Sequence, residues 1–324
     1  MTVGCRLRAD SQNAFAAVAA MAAVLSLLVQ LVGAAPARAA TGSVTINSVS
    51  QPEGDVGSRH LTFTVTRSGG GTGPFSVNYT THDTGSATDG KDFAGTTGTL
   101  FFVTNQTTAT LDVDVLADLL DEDDETFTVQ LTNPTAGVTL GGAATATGTI
   151  VDDDAPPAVS IAGPSTQEGN AGRTPATFVV SLSAPSGRSV TVQVATADGS
   201  AKAPDDYTGT TGTVTFAPGD LSQPVRVPVA GDTLDEPDET FAVVLSAPLN
   251  ATLTDPSGSA KGTIVDDDGP PSASVADVTT LKEGGTASFG VTLSAPSGLP
   301  VTVSARTTGL GTARAGADYQ ATVT

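Results

Sequence analysis

Tryptophan is absent from the 324 residues, and there is a single cysteine. One cysteine cannot close an intramolecular disulfide, so a disulfide-stapled fold is excluded. Basic residues are scarce, 14 Lys and Arg against 34 Asp and Glu, for a net charge of −20 and a pI near 4.1. Nucleic acid and anionic membrane surfaces are excluded as partners, because every phosphate would meet a field of its own sign. Cations are the natural counterpart. Aromatic residues are few, 4%, so any core is lean and built on Val, Ile, Leu and Phe. Long apolar runs are also missing beyond residue 32. The one such stretch, residues 14–32, is interrupted only by Ser26 and Gln30; with no second, a transporter or channel is excluded.

That stretch follows Arg6 and Arg8 and precedes Ala37-Arg38-Ala39, small residues at the two positions a signal peptidase reads. Residues 1–40 are read as a cleaved secretory signal; the alternative is an uncleaved anchor. Cleavage removes Cys5, three arginines and Asp10, taking the net charge from −20 to −22. The expected location is therefore secreted or at the cell surface.

What is present is repetition. Thr149-Ile150-Val151-Asp152-Asp153-Asp154 returns 114 residues later as Thr263-Ile264-Val265-Asp266-Asp267-Asp268. Asp121-Glu122-Asp123-Asp124-Glu125-Thr126-Phe127 returns at the same shift as Asp235-Glu236-Pro237-Asp238-Glu239-Thr240-Phe241. Glu53-Gly54, Glu168-Gly169 and Glu283-Gly284 mark three starts, and Asp92-Phe93, Asp206-Tyr207 and Asp318-Tyr319 mark one later place in each copy. Such a period has the size of an independent domain rather than of a solenoid unit. The reading is residues 44–154, 159–268 and a truncated third copy, 275–324, joined by Ala155-Pro156-Pro157 and Gly269-Pro270-Pro271, where paired prolines favour short, stiff joints.

Within a copy the hydrophobic period is two. Leu61-Thr62-Phe63-Thr64-Val65, Leu111-Asp112-Val113-Asp114-Val115, Val190-Thr191-Val192-Gln193-Val194 and Val225-Arg226-Val227-Pro228-Val229 alternate as half-buried strands must. Gly69-Gly70-Gly71, Ser183-Ala184-Pro185-Ser186-Gly187 and Ala217-Pro218-Gly219-Asp220 punctuate them as turns. About seven short strands per copy predict an all-β chain of tandem immunoglobulin-like antiparallel β-sandwiches.

The chemistry is carboxylate. In the second copy Glu168, Asp205, Asp206, Asp232, Asp235, Glu236, Asp238, Glu239 and Asp266, Asp267 and Asp268 fall at loops and strand ends; the first copy supplies Glu53, Asp92, Asp118, the acids of 121–125, and Asp152, Asp153 and Asp154. Acidic runs are most often solvated loops that confer solubility. Solubility, however, would be served by acids anywhere, whereas here they return at fixed offsets. Gathered at one pole within about 5 Å, each pair repels by roughly 3 kcal/mol at an effective dielectric near 20. Hard oxygen donors without His or Cys select calcium over zinc or copper. Nothing matches an EF-hand loop or a glycine-rich β-roll.

The ordered motifs, Glu-Gly at the start, residues 195–207, Gly-Thr-Val-Thr-Phe-Ala-Pro-Gly-Asp at 212–220, Asp-Glu-Pro-Asp-Glu-Thr-Phe and Gly-Thr-Ile-Val-Asp-Asp-Asp, resemble the Calx-beta domain of sodium/calcium exchanger regulatory loops and bacterial surface proteins. The resemblance implies an immunoglobulin-like sandwich that binds calcium in loops at the pole near the domain's C-terminus. Carried over by position, the implied ligands are Glu53, Asp92, Asp118, Glu122, Asp152, Asp153 and Asp154, then Glu168, Asp206, Asp232, Glu236, Asp266, Asp267 and Asp268. Exchanger domains often carry acids on both sides of the Asp118 position. Ala117 and Leu119 stand there, and Gly231 and Thr233 in the second copy; about one to three ions per domain are expected rather than four.

The leading expectation is a calcium-stiffened spacer or adhesion module, with other surface proteins or glycans as the compatible macromolecular partners. A regulatory calcium sensor is the alternative. A hydrolase is disfavoured: His60 and His82 do not recur between copies, and no Ser, His and Asp set repeats.

Overall fold

The computed structural model describes residues 39–279 and 281–322; the signal reading lies, but for Ala39 and Ala40, outside them. Among the described residues regular structure is entirely β, and no helix is long and apolar enough to cross a membrane. Two compact units emerge: residues 39–118 with 124–153, and Leu119–Asp123 with the remainder from Asp154.

The first copy contains β1 (Gly42–Ile46), β2 (Val49–Pro52), β3 (Ser58–Ser68), β4 (Phe75–His82), β5 (Thr97–Phe102), β6 (Thr108–Leu116), β7 (Glu125–Thr132), β8 (Val138–Leu140) and β9 (Thr145–Val151). They form one sheet in the order β6-β3-β1-β8 and a second in the order β2-β9-β7-β4-β5. The alternation read from the sequence sets the register. Leu61 pairs with Val113 and Phe63 with Leu111 across β3 and β6, and all four side chains are buried.

Two features depart from a purely antiparallel seven-strand expectation. The opening strand is split, β1 pairing parallel to β8 and β2 parallel to β9. The cause lies in two adjacent side chains. Asn47 Oδ1 accepts from the Thr64 N–H of the first sheet at 2.6 Å, and Ser48 Oγ accepts from the Thr147 N–H of the second at 2.9 Å, so the chain is fastened to both sheets where it crosses.

The second copy repeats this plan with β10 (Ala158–Ala162), β11 (Ser165–Gln167), β12 (Gly172–Leu182), β13 (Val190–Asp198), β14 (Thr211–Phe216), β15 (Ser222–Gly231), β16 (Glu239–Leu249), β17 (Thr252–Leu253) and β18 (Ser259–Val265). Its sheets run β15-β12-β10-β17 and β11-β18-β16-β13-β14. Among its described residues the third copy contributes β19 (Ala273–Val275) and β20 (Val291–Leu293), an antiparallel pair. Phe289, Val291 and Leu310 stay exposed, and no described residue beyond 272 is buried. The later motifs of the period, which would supply the opposing sheet, do not occur within the 324 residues.

The recurrent Asp-aromatic pair now has a structural meaning. Phe93 stacks on Phe127 at 4.3 Å between ring centroids, and Phe63 meets Phe127 edge-on at 6.1 Å. In the second copy Tyr207 stacks on Phe241 at 4.5 Å, and Phe178 meets Phe241 edge-on at 5.6 Å. Each of these buried rings contributes about 1.5–3 kcal/mol from transfer out of water. The aromatic residue plugs the end of the core, and the preceding aspartate is thereby held in the loop above it.

Candidate metal centre

Four chain segments bring carboxylates to one end of each sandwich: the turn after β2 or β11, the loop before β5 or β14, the loop before β7 or β16, and the exit from β9 or β18. In the first copy Glu53, Asp152 and Asp154 place carboxylate oxygens within 4.8 Å of one another, and so do Asp92, Glu122 and Glu125. In the second copy Glu168, Asp232 and Asp268 do the same. Glu53, Asp92 and Glu168 are buried, at 5%, 4% and 7% exposure, and Asp92 Oδ1 is paired with Lys91 Nζ at 3.1 Å.

The local folding is explicit. Asp153 Oδ1 accepts from the Gly54 N–H at 2.8 Å, and Asp267 Oδ1 from the Gly169 N–H at 3.0 Å. The middle aspartate of each triple thus holds the Glu-Gly turn against the strand exit, placing Glu53 or Glu168 beside the outer two. Asp124 Oδ1 accepts from the Asp152 N–H at 3.2 Å and Asp238 Oδ1 from the Asp266 N–H at 3.3 Å, tying the loop before β7 or β16 to the same exit. Asp92 Oδ2 takes the Thr88 N–H at 2.7 Å and Asp206 Oδ2 the Lys202 N–H at 2.6 Å, closing their loop into a turn. Asp232 Oδ1 takes the Leu234 N–H at 2.7 Å, and Asp268 Oδ1 the Asn170 side-chain amide at 2.6 Å.

Crowding shows in the ionisation. Burial, then Asp232, Asp266, Glu236 and Asp268, push the Glu168 carboxyl up to about 7. Burial, and a hydrogen bond that protonated Glu239 donates to the neighbouring Asp206 carboxylate, push Glu239 up to about 7 as well. Glu236 is raised by burial, then by Asp232, Asp206 and Asp266; Asp268 is raised by burial, then by Asp266 and Asp267. Buried oxygens Oδ1 of Asp266 and Oδ2 of Asp268 meet no hydrogen-bond donor. A cluster with raised carboxyls and donor-less buried oxygens fits a hard cation, and the all-oxygen donor set fits calcium. His60, by contrast, lies on the exposed face of β3 against Asp114.

The Calx-beta domain family matches residues 44–154, 152–268 and 273–324. This chain belongs to the Calx-beta family. Adhesion G-protein coupled receptor V1 of Danio rerio is 31% identical over 170 residues, 49% of this chain and 3% of that receptor. The chain thus matches a small fraction of that relative's length. Among solved structures, CBD12 from CALX1.2 is 21% identical, covering 68% of this chain and 99% of its own, with a TM-score of 0.34. The apo-form Calx CBD1 domain is 30% identical, covering 35% of this chain and 99% of its own, with a TM-score of 0.31.

Of the positions carried over from the Calx-beta pattern, the first copy groups Glu53, Asp92, Glu122, Asp152 and Asp154, and the second groups Glu168, Asp232 and Asp268, with Glu236 and Asp266 acting electrostatically on Glu168. Asp153 and Asp267 spend one oxygen on the glycine N–H groups, and Asp118 lies half-buried outside the first copy's two groups. Glu125 and its counterpart Glu239, absent from the carried-over set, join the Asp92 and Asp206 carboxylates. Their signal was available: both stand in the repeated Asp-Glu-Thr-Phe, as the first residue of a strand whose third residue is a buried Phe.

Proposed function

We propose that this chain is a calcium-binding structural module of a secreted or surface protein, in which ions gathered by the loop carboxylates rigidify tandem β-sandwiches. The observation that carries the reading is the recurrence, in two copies of differing sequence, of a buried glutamate grouped with the last aspartate of a triple-Asp strand exit, Glu53 with Asp154 and Glu168 with Asp268. The ligand sets are the residues grouped above, extended by Glu125 and Glu239. An ion there would neutralise carboxylates that otherwise repel, so binding energy becomes folding energy. The location rests on the N-terminal sequence and on the kinship with a protein named as an adhesion receptor. Among the described residues the grouped ligands are all carboxylates, and the role proposed for the module is mechanical. Calorimetric titration of the whole chain with calcium tests this. Binding at about one to three ions per complete copy, abolished by chelator, is expected; absence of binding at millimolar calcium overturns the proposal.

A further inference from the structure

The outer face of the five-stranded sheet in the first sandwich is free of the charge that dominates the chain. Net charge is −20, yet no charged residue occurs from Phe93 to Leu111. The outward positions of β4, β5, β7 and β9, those alternating with the buried ones, hold no Lys, Arg, Asp or Glu. Across the edge pair Ser76 stands opposite Phe101, Asn78 opposite Thr99 and Thr80 opposite Thr97. Gln130 and Thr132 of β7 continue the rows beyond Thr80 and Asn78. Thr80 and Thr97 share a hydroxyl hydrogen bond at 3.2 Å, and Ser76 and Thr135 share one at 3.1 Å. The Thr99 hydroxyl donates to Asn78 Oδ1 at 2.9 Å, which leaves the Asn78 NH2 to donate elsewhere.

Two large apolar side chains stand at one end of this face, Phe101 at 74% exposure and Val103 at 66%. They border an open cleft of about 530 Å³, lined also by Phe75, Ser76, Thr104 and Thr135. Phe102 stacks on Phe75 at 4.2 Å between centroids and anchors β5 to the core, so Phe101 is held on a fixed strand. The corresponding face of the second sandwich has Thr215 in place of Phe101, Ala217 and Pro218 in place of Val103 and Thr104, and the exposed Lys261 on β18. The opposite sheet of the first sandwich turns Asp112 and Asp114 outward. Strand propensity accounts for threonine on any of these faces. It does not account for an exposed phenylalanine on the one that lacks charge.

We infer that this face of the first sandwich binds a neutral polysaccharide, with Phe101 stacked on a sugar ring over the cleft and the Ser76, Asn78, Thr97 and Thr99 side chains bonded to sugar hydroxyls. A pyranose ring offers an apolar C–H face to an aromatic ring and a rim of hydroxyls to groups that both donate and accept, as hydroxyl and amide side chains do. The cleft has the volume of a small-molecule site. An anionic polymer would meet the repulsive field of the acidic chain, whereas a neutral one does not. A protein partner needs an apolar centre and about 800 Å² on each side, and here two apolar side chains stand among hydroxyls. None of the residues named belongs to the carboxylate groups, so the binding is separate from the calcium reading.

The test is affinity electrophoresis of the whole chain in native gels containing hydroxyethyl cellulose, soluble starch, laminarin or glucomannan, with dextran sulfate as the anionic control. At least one neutral polymer should retard the chain, and dextran sulfate should not. Phe101→Thr, which copies the second sandwich, should weaken the retardation about tenfold or more, the scale of losing one aromatic anchor. Phe101→Tyr, which keeps the ring, should retain it. Because Phe101 is exposed, both variants should melt with the unaltered chain. Retardation in none of the neutral gels, or retardation undiminished in Phe101→Thr, overturns the inference. A dimer in sedimentation that Phe101→Thr dissolves would assign the face to a second copy of the chain and overturns it as well. Retardation of a chain that takes up no calcium in calorimetry would leave the polysaccharide site standing while the calcium reading fell.

Discussion

A glutamate held near pH 7 is the sharpest consequence of the site at the scale of single residues. Glu168 ionises at about 7 in the folded chain against 4.5 when free, so between those values the folded state holds a proton that the unfolded state has lost. The stability this group contributes is full below pH 4.5 and is lost as pH rises through 7. Without calcium, the melting temperature should accordingly fall from pH 5 to pH 8. Calcium binds the ionised form, so its stabilising shift should grow over the same interval. Glu168→Gln should raise the calcium-free melting temperature at pH 8 by a few degrees and at least halve the calcium-induced shift; thermal melts at two pH values check both signs, and a calcium-free loss in the variant would contradict the repulsion argument. At this scale the sequence was legible in part. Repetition marked the acids, but not which oxygens turn inward. Asp152, Asp153 and Asp154 look alike in a row, and only the strand's alternation and the Gly54 N–H separate the middle one from its neighbours.

At the scale of elements, the period-two alternation predicted β3, β6, β13 and β15 because one face of each meets the core. The crossing of the first strand was not legible, since the copies use unrelated devices there, Asn47-Ser48 in one and Gly163-Pro164 in the other. The glycine of the Gly-Thr-Ile-Val motif is a further feature whose reason lies across the sandwich. A Cβ at Gly262 in β18 would stand 2.7 Å from the Phe178 ring and 3.2 Å from Phe241; at Gly148 in β9 it would stand 2.6 Å from Phe127. The strand is thinned so that the aromatic rings can cross beneath it. Overpacking of this kind costs about 1–3 kcal/mol. Gly262→Val should therefore lower the melting temperature of the second sandwich by about 5–10 °C, whereas Gly212→Val, in β14 where nothing lies within 4 Å, should change it little. Equal effects of the two would show that strand propensity, and not the ring contact, governs these positions.

For the whole molecule, the internal repeat disclosed both the architecture and the family, because each motif answers a separate physical demand: a core plug, a thinned strand, a fastened exit. Its net charge of −20 raises a choice between two explanations of any stabilisation by calcium. If the acids act as a diffuse field, any salt should relieve their repulsion, since 0.5 M salt shortens the screening length to roughly 4–5 Å. If they act through enclosed groups, mobile monovalent ions cannot enter, and Glu53, Asp92 and Glu168 are each more than nine-tenths buried. The clusters also hold their oxygens within 4.8 Å, comparable to that screening length, so even an unhindered salt atmosphere would leave much of the repulsion in place. We therefore expect potassium chloride at 0.5 M to raise the calcium-free melting temperature by only a few degrees, and 1 mM calcium at low ionic strength to raise it by well over 10 °C. In 0.5 M potassium chloride the calcium effect should shrink but survive, because an ion bound directly to carboxylate oxygens is displaced far less readily than a screened surface attraction. Scanning calorimetry of the whole chain under these four conditions separates the explanations. If salt alone reproduces the calcium shift, the acids serve solubility, and the grouped carboxylates are solvated neighbours and not ligands.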